Sequence, residues 1–106
     1  MSYNLDFDER AFKEWKKLGE TIRLQFKKKL EKVLENPHIE NNRLHGELNG
    51  CYKIKLRSSG YRLVYKVEDE TVVVFVLAVG KRERNQAYDN ASERLTKLQI
   101  SSDANQ

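Results

Sequence analysis

The alternation of apolar and polar side chains over residues 51–79 constrains the fold of this chain more than any other feature. Apolar residues recur at every second position, at Tyr52, Ile54 and Leu56, and then at Leu63, Tyr65 and Val67. Such alternation is typical of strands with one buried face. Ser59 with Gly60, and Asp69 with Glu70, supply two turn signals that divide the stretch. We therefore predict a three-stranded antiparallel meander, in which a two-residue loop joins the first two strands.

The other face of this predicted hairpin is strongly basic. A two-residue loop predicts three directly opposed pairs: Arg57 with Arg62, Lys55 with Val64, and Lys53 with Lys66. Like charges that face each other destabilise a strand pair. A charged outer face is common on antiparallel sheets, and edge lysines also oppose aggregation. However, no acid occurs between residues 53 and 66, although the chain has 16 acidic residues. This absence favours a face that binds a polyanion.

The residues before the meander predict one strand and two helices. Residues 3–7 alternate and predict a short strand, after which Asp6 or Asp8 can cap a helix that ends at Gly19. A second helix follows over residues 20–35, and Pro37 stops it. In residues 38–50 the apolar side chains show no regular spacing, so we predict a loop. We expect the basic face of the second helix to be solvated or, failing that, to be a secondary RNA-contacting surface: Arg23, Lys27, Lys28, Lys29 and Lys32.

The predicted third strand of the meander, residues 71–79, is apolar on both faces. One row is expected to continue the core: Val72, Val74 and Val76. The other row emerges on the basic side and needs a cover: Val73, Phe75 and Leu77. We predict that a short, weakly held helix over residues 82–98 supplies part of this cover. The tail over residues 99–106 is expected to be disordered.

Composition and cysteine content narrow the class of protein. The chain has 106 residues, which suits one compact domain, and a net charge of +4, which points weakly to nucleic acid or an acidic protein as partner. Cys51 is the single cysteine, so a disulfide within the chain and a thiolate zinc site are excluded. No apolar run is long enough to cross a bilayer, and the N-terminus has no signal pattern. We therefore expect a cytoplasmic protein.

The residues limit the chemistry that this chain can perform. Two histidines, His38 and His45, share one loop and allow a histidine pair for RNA cleavage, although surface loop histidines are commoner. No serine–histidine pair, metal-ligand cluster or phosphate-binding glycine loop is present. A nuclease of this composition would work through cations and a tyrosine. Arg and Lys can stabilise a dianionic transition state, and a tyrosine surrounded by cations can act as a base.

Three segments of the chain together resemble the RelE family of bacterial toxins: LDFDERAFKEWKKLG, YKIKLRSSGYRLVY and VVVFVLAVGKRER, the last followed by a tyrosine. The resemblance extends from Ser2 to about Leu95. It implies an α+β fold, in which a twisted antiparallel sheet carries two N-terminal helices and a C-terminal helix, within a single domain of residues 1–98. It also implies a ribosome-dependent endoribonuclease that cuts mRNA in the ribosomal A site. The 2′-hydroxyl attacks and leaves a 2′,3′-cyclic phosphate.

The resemblance carries five functional residues onto this chain: Lys53, Lys55, Arg62, Arg82 and Tyr88. It implies that Tyr88 is the general base, that Arg62 and Arg82 hold the phosphate, and that the two lysines stabilise charge. Because an arginine gives up its proton poorly, Lys55 is slightly favoured over Arg82 as the general acid. The wider set expected to bind RNA or phosphate is Lys53, Lys55, Arg57, Arg62, Lys66, Lys81, Arg82 and Arg84.

The resemblance further implies the partners: a cognate RelB-like antitoxin, the ribosome and its rRNA, mRNA, and operator DNA only through the antitoxin complex. No cofactor, metal or membrane is expected. The alternative is a ParE-like toxin of the same fold that binds a target such as gyrase without catalysis, and such a protein does not need those five residues together. A general RNA-binding module usually displays aromatics for stacking, whereas Tyr52 and Tyr65 are predicted to point inward. The loop over residues 43–50 departs from the family, because His45 stands where a cation is expected.

Overall fold

The computed structural model describes residues 2–81 and 86–104. Its main elements are β1 (Asn4–Phe7), α1 (Glu9–Lys16), α2 (Glu20–Glu35), β2 (Cys51–Leu56), β3 (Tyr61–Glu68), β4 (Val73–Lys81) and α3 (Gln86–Ala104). Two short 3-10 turns, Glu40–Asn42 and Gly46–Leu48, lie in the predicted loop between α2 and β2. Arg82 and Arg84, both predicted site residues, lie outside the described residues. None of the described helices is long and apolar enough to cross a membrane.

The four strands form one sheet in the order β1-β4-β3-β2. The predicted meander is confirmed, because β2, β3 and β4 pair in sequence and antiparallel. The expectation of a wholly antiparallel sheet is wrong for β1, which pairs parallel to β4 with Asn4 opposite Val73. A parallel pair needs a long connection, and here α1, α2 and two strands separate β1 from β4. The fold is therefore α+β with a mixed sheet.

The predicted register of the β2–β3 hairpin is wrong by two residues. Leu56 pairs with Tyr61, so that residues 57–60 form a four-residue turn and Lys55 lies opposite Arg62. Gly60 closes the turn: its N–H donates to the Leu56 carbonyl over 2.9 Å, and its φ of 77° suits glycine. The longer turn removes the predicted pairing of Arg57 with Arg62. Since the shift is an even number of residues, every side chain keeps its predicted face.

The helical boundaries follow from local capping. The Asp8 carboxylate accepts from the Arg10 N–H over 2.9 Å and caps α1, which decides between the two predicted caps. Gly19 does not end α1, which stops at Lys16, but occupies the N-cap of α2. The second helix has its predicted bounds. α3 continues to Ala104, past the predicted end at Leu98, because no glycine or proline interrupts it. The domain boundary at residue 98 remains a prediction.

One face of the sheet packs against α1 and α2 and forms the larger core. Its residues include Trp15, Phe26, Leu30, Ile54, Leu63, Tyr65, Val74 and Val76. The inward orientation predicted for Tyr52 and Tyr65 is confirmed, since both are buried and their rings stack 5.4 Å apart. The hydroxyl of Tyr65 donates to the Pro37 carbonyl over 2.9 Å, and burial raises the pKa of Tyr65.

The opposite face of the sheet is covered in part by α3. A smaller cluster joins Cys51, Val64, Leu77, Ala78, Ala91 and Leu95, with Phe75 packed against it. The predicted cover by a C-terminal helix is thus confirmed for Phe75 and Leu77. A bulge between Val64 and Tyr65 lets Leu77 and Ala78 both reach this cluster. Val72 is not part of the core strand as predicted, because it lies in the turn before β4 with φ of 58°.

Candidate functional site

The cations of β2 and β3 lie side by side on the face of the sheet that α3 covers only in part. Lys55 pairs directly with Arg62, and Lys53 is two residues away on the same face of β2. Beside them, at the turn end of the hairpin, is a pocket lined by Lys55, Leu56, Arg57, Gly60, Tyr61 and Arg62. Among the described residues, no acid lines this pocket. Three positive side chains thus converge on one concave surface that is open to solvent, and such a surface suits a phosphate group.

Tyr88 reaches this cationic face from α3. The Arg62 Nη1 donates to Tyr88 Oη over 3.0 Å, and the guanidinium carbon lies 5.2 Å from the centre of the Tyr88 ring. Both side chains are half-buried. Because 26 residues separate them in the chain, only the packing of α3 on the sheet brings them together. The structure therefore joins two of the predicted site residues, Arg62 and Tyr88, by a direct hydrogen bond.

An ion pair between a buried arginine and a half-buried glutamate attaches α3 to the rest of the molecule. Arg94 is 7% exposed, and its Nη1 donates to Glu14 Oε1 of α1 and to the Leu77 carbonyl of β4, each over 2.8 Å. Glu14 Oε1 also accepts from the Val79 N–H over 3.2 Å, and Asn90 donates to Glu14 Oε2 over 3.4 Å. We call this group the Glu14–Arg94 network. It links α1, β4 and α3, and it lies less than two helical turns from Tyr88.

Sequence reasoning missed the Glu14–Arg94 network, although α3 carries a signal for it. Ala87, Ala91 and Leu95 are buried at intervals of four residues. Arg94 lies three residues after Ala91 and so falls on the same helical face. A charged residue at an inward helical position needs a buried partner. That partner is remote in sequence, and only the fold identifies it as Glu14.

Mutual repulsion among the cations affects Lys55. Its pKa is lowered from the ordinary value, first by hydrogen bonding and charge repulsion from Lys53, and then by the charges of Arg62 and Arg57. The ion pairs found between described residues do not involve any of these four cations. Within the described part of the chain, these like charges thus lie together without an ion-pair partner, although the sequence contains 16 acids.

Of the remaining predicted site residues that the structure describes, Lys66 and Arg57 lie at the margins of this face and Lys81 does not. Lys66 is paired with Glu68 over 2.6 Å, so its charge is partly neutralised. Lys81 ends β4 opposite Tyr61, which packs against the core beneath α1 and α2, and its Nζ lies 5.7 Å from the Tyr61 ring centre. Lys81 is therefore on the other face of the sheet from Lys55 and Arg62. Arg57 lines the pocket described above. Arg82 and Arg84 fall outside the described residues, so their placement stays a prediction.

The two histidines do not form a pair at the cationic face. The ring nitrogens of His38 lie 3.0 Å from Tyr52 Oη and 2.8 Å from Asp69 Oδ1. Tyr52 belongs to the core beneath α1 and α2, so His38 lies towards the face opposite the cations. His45 is exposed in the loop before β2. Among the residues that the structure describes, no group of three His, Cys, Asp or Glu side chains is placed to hold a metal ion.

Comparison with known proteins identifies the family. The family described as "ParE toxin of type II toxin-antitoxin system, parDE" matches residues 5–86. The mRNA interferase toxin RelE of Escherichia coli is 66% identical over 95 residues, which cover 90% of this chain and 99% of that protein.

Solved structures agree with this match. A mutant of E. coli toxin RelE in the free state has a TM-score of 0.81 at 65% identity, covering 89% of this chain and 98% of the other. The RelE chain of the intact E. coli RelBE toxin–antitoxin complex has a TM-score of 0.74 at 70% identity, covering 78% and 100%. The chain therefore belongs to the ParE/RelE family of type II toxins and is closely similar to the RelE mRNA interferases.

Proposed function

We propose that this chain is the toxin of a type II toxin–antitoxin system and acts as an endoribonuclease that cleaves mRNA in the ribosomal A site. The observation that carries the proposal is the hydrogen bond between Arg62 and Tyr88 beside Lys55, where the ion pairs found between described residues involve neither Lys55 nor Arg62. This arrangement places a hydroxyl that can exchange a proton next to cations that can hold a phosphate. The similarity to relatives named mRNA interferases supports the same conclusion.

The proposed reaction needs no metal or cofactor. Tyr88, as its phenolate, accepts the proton of the substrate 2′-hydroxyl while that oxygen attacks the neighbouring phosphorus. The bond from phosphorus to the 5′-oxygen breaks, and Lys55 gives a proton to the departing oxygen. The products are a 2′,3′-cyclic phosphate and a free 5′-hydroxyl. Arg62, together with Arg82, stabilises the negative charge that develops on the phosphate.

The direction of the pKa shift at Lys55 supports its role as the acid. An acid is most effective when its pKa lies near the working pH. Lys53 and the neighbouring arginines lower the pKa of Lys55 and so bring it closer to neutrality. The pKa of an arginine cannot be brought close to neutrality in this way, since its guanidinium keeps its proton in proteins. We therefore assign the acid to Lys55 and charge stabilisation to Lys53.

The proposed partners are the ribosome with its rRNA, the mRNA, and a RelB-like antitoxin. A relative of 70% identity has been crystallised in a toxin–antitoxin complex with RelB. Contact with operator DNA would occur only through such an antitoxin complex. The place of action is the cytoplasm, where translating ribosomes are found. The set of phosphate-binding cations extends from Lys53, Lys55 and Arg62 to Arg57, Lys66, Lys81, Arg82 and Arg84.

A ParE-like toxin that acts only by binding is the competing function, since the matching family is described by ParE. The two functions differ in whether they require the hydroxyl of Tyr88. Tyr88→Phe removes one hydroxyl and leaves the packing of the ring intact. For the nuclease, we expect cleavage on programmed ribosomes to fall by about 10²–10⁴-fold, the usual contribution of a general base. Ribosome binding should be unchanged. Primer extension measures the cleavage.

Tyr3→Phe is the matched control for this experiment. It also removes a hydroxyl, which donates to Asp69 over 2.8 Å, but Tyr3 packs against the core beneath α1 and α2. It should cleave like the unaltered chain. Cleavage by Tyr88→Phe at the rate of this control would remove Tyr88 from the mechanism. An unaltered chain that arrests growth without cutting mRNA would favour the binding-only function.

A further inference from the structure

The pocket at the turn end of the hairpin brings one amine together with two guanidinium groups. Among the described residues that line it, the charged ones are Lys55, Arg57 and Arg62, and none is an acid. Lys55 and Arg62 are directly opposed on β2 and β3, so their side chains are close neighbours. The volume of the pocket, about 430 Å³, is at the lower end of the range for small-molecule sites. The pocket therefore suits a small anionic molecule as well as a strand of RNA.

The two arginines of the pocket can hold a phosphate group. The hydrogen bond to Tyr88 uses one N–H of Arg62, and a guanidinium has several more to donate. The ion pairs found between described residues involve neither Arg57 nor Arg62. A guanidinium binds phosphate oxygens through two parallel hydrogen bonds. A phosphorylated small molecule in the pocket would thus be held with its other end near Lys55.

Lys55 is the amine that such a molecule meets. Its side chain is exposed, and it lines the pocket, whereas Lys53 does not. A lysine next to other cations is activated as a nucleophile, because repulsion favours the neutral amine over the ammonium. The pKa of Lys55 is lowered in this way by Lys53, and then by Arg62 and Arg57. The pocket therefore pairs a phosphate-binding group with a reactive amine.

We propose that the pocket binds small acyl phosphates and that Lys55 accepts their acyl group. The Lys55 ammonium first loses a proton to solvent. The neutral amine then attacks the carbonyl carbon, a bond forms between nitrogen and that carbon, and the bond from the carbon to the phosphate oxygen breaks. Inorganic phosphate leaves with the electron pair, and the second proton of the nitrogen passes to solvent. The products are an amide at Lys55 and free phosphate, and nothing is oxidised or reduced.

Acylation of Lys55 removes a charge and the proton that a general acid must give. Cleavage should then fall by about 10²–10⁴-fold, the usual contribution of an acid or base. This consequence rests on the proposed function, because it takes Lys55 as the acid, whereas the acyl transfer itself does not. An acyl group on Lys55 is a way to silence the chain that needs no antitoxin.

The test compares two acetyl donors on the purified chain. Acetyl phosphate carries a phosphate, and N-hydroxysuccinimidyl acetate carries the same acyl group without one. Mass spectrometry measures the initial rates at Lys55 and at Lys17 and Lys27, which are exposed and do not line the pocket. We expect the preference for Lys55 to be at least about tenfold larger with acetyl phosphate, the effect of one charge-assisted hydrogen bond. Inorganic phosphate should slow acetyl phosphate at Lys55 and not at Lys17.

Variants of the two arginines test the phosphate site itself. Arg62→Gln and Arg57→Gln should each lower that preference by about tenfold. Dividing by the rate with the succinimidyl ester removes any change in the reactivity of the amine. Arg57 is exposed, so its variant keeps the test valid if Arg62→Gln does not fold. Arg23→Gln is the matched control, since Arg23 does not line the pocket, and it should behave like the unaltered chain.

Three outcomes would overturn the proposal. An equal preference for Lys55 with both donors would mean that the amine is reactive but that no phosphate site guides the donor. Acetylation of Lys53 in place of Lys55 would mean that the pocket does not position the acyl group. Arginine variants that match the Arg23→Gln control would mean that the guanidinium groups do not hold the phosphate.

Cleavage on programmed ribosomes separates this inference from the proposed function. In chains acetylated to different extents, the rate should follow the fraction with unmodified Lys55. A chain acetylated in the presence of inorganic phosphate, with Lys17 modified and Lys55 protected, is the control and should keep its activity. If the unaltered chain does not cut mRNA at all, the proposed function fails, while the acyl transfer is still decided by mass spectrometry. Undiminished cleavage by a chain fully acetylated at Lys55 would contradict the silencing.

Discussion

The two faces of the sheet differ in the side chains that cover them. The face beneath α1 and α2 is covered by large side chains, among them Trp15, Phe26 and Leu30, which are nearly fully buried. The face beneath α3 is covered by smaller groups of that helix, Ala91 and Leu95 with the half-buried Tyr88, together with one ion pair. Beyond α3, the described part of this second face carries the cations Lys53, Lys55 and Arg62. The comparison indicates that one face supplies stability, while the other keeps its charged groups accessible and depends on α3 for their arrangement.

The largest expected effect comes from breaking the first face. Phe26→Ala removes a fully buried aromatic side chain and leaves a cavity, so it should lower the free energy of unfolding by about 3–5 kcal/mol. Chemical denaturation measures this loss. Under conditions where the variant is still folded, Arg62 and Tyr88 should stay in contact and cleavage should persist. A folded variant without activity would contradict the claim that the face beneath α1 and α2 supplies stability and not the groups that act in cleavage.

A smaller effect is expected from breaking the attachment of α3. Glu14→Ala leaves the buried Arg94 without its carboxylate and should destabilise the chain by about 2–4 kcal/mol. The cleavage rate should fall as well, because α3 carries Tyr88. Glu14→Gln is the matched control, since it removes the charge but keeps a hydrogen-bond acceptor for Arg94. Hydrogen exchange should report lost protection in residues 87–98 for Glu14→Ala, and unchanged protection there would refute the role of the Glu14–Arg94 network.

The smallest effect concerns the charges of the second face alone. Lys53→Met removes the main cause of the lowered pKa of Lys55, which should therefore move upward towards its ordinary value. NMR titration of the Lys55 side chain measures the shift, with Lys17→Met as the control. Because a general acid must be protonated to act, the alkaline limb of the kcat profile should move to higher pH in the same variant. A pKa of Lys55 that is unchanged would show that Lys53 does not govern it.

Much of the architecture could be predicted from the sequence, because alternation assigns each strand residue to a face independently of register. The hairpin register was wrong by two residues, yet the faces of Lys55, Arg62 and Tyr65 were right. The parallel pairing of β1 could not be predicted, since strand direction depends on the path of the chain through two helices. The bulge at Leu77 and the turn at Val72 depend on local backbone geometry that side-chain patterns do not record.

The site could be predicted only in part. The clustering of cations on β2 and β3 follows from the sequence. The resemblance to the RelE family adds Tyr88, whose contact with Arg62 depends on how α3 packs. The Glu14–Arg94 network joins residues 80 positions apart, and no local pattern connects them.

The central claim is that Arg62 on the sheet and Tyr88 on α3 act as one unit, and a double-mutant cycle tests it most directly. Cleavage by the unaltered chain, Tyr88→Phe, Arg62→Gln and the double variant is compared in single-turnover reactions on programmed ribosomes. Residues that act together show strongly non-additive effects. We predict that the double variant is scarcely slower than the slower single variant, with a coupling of at least about 1 kcal/mol. If the two losses multiply, Arg62 and Tyr88 act independently and the account is wrong.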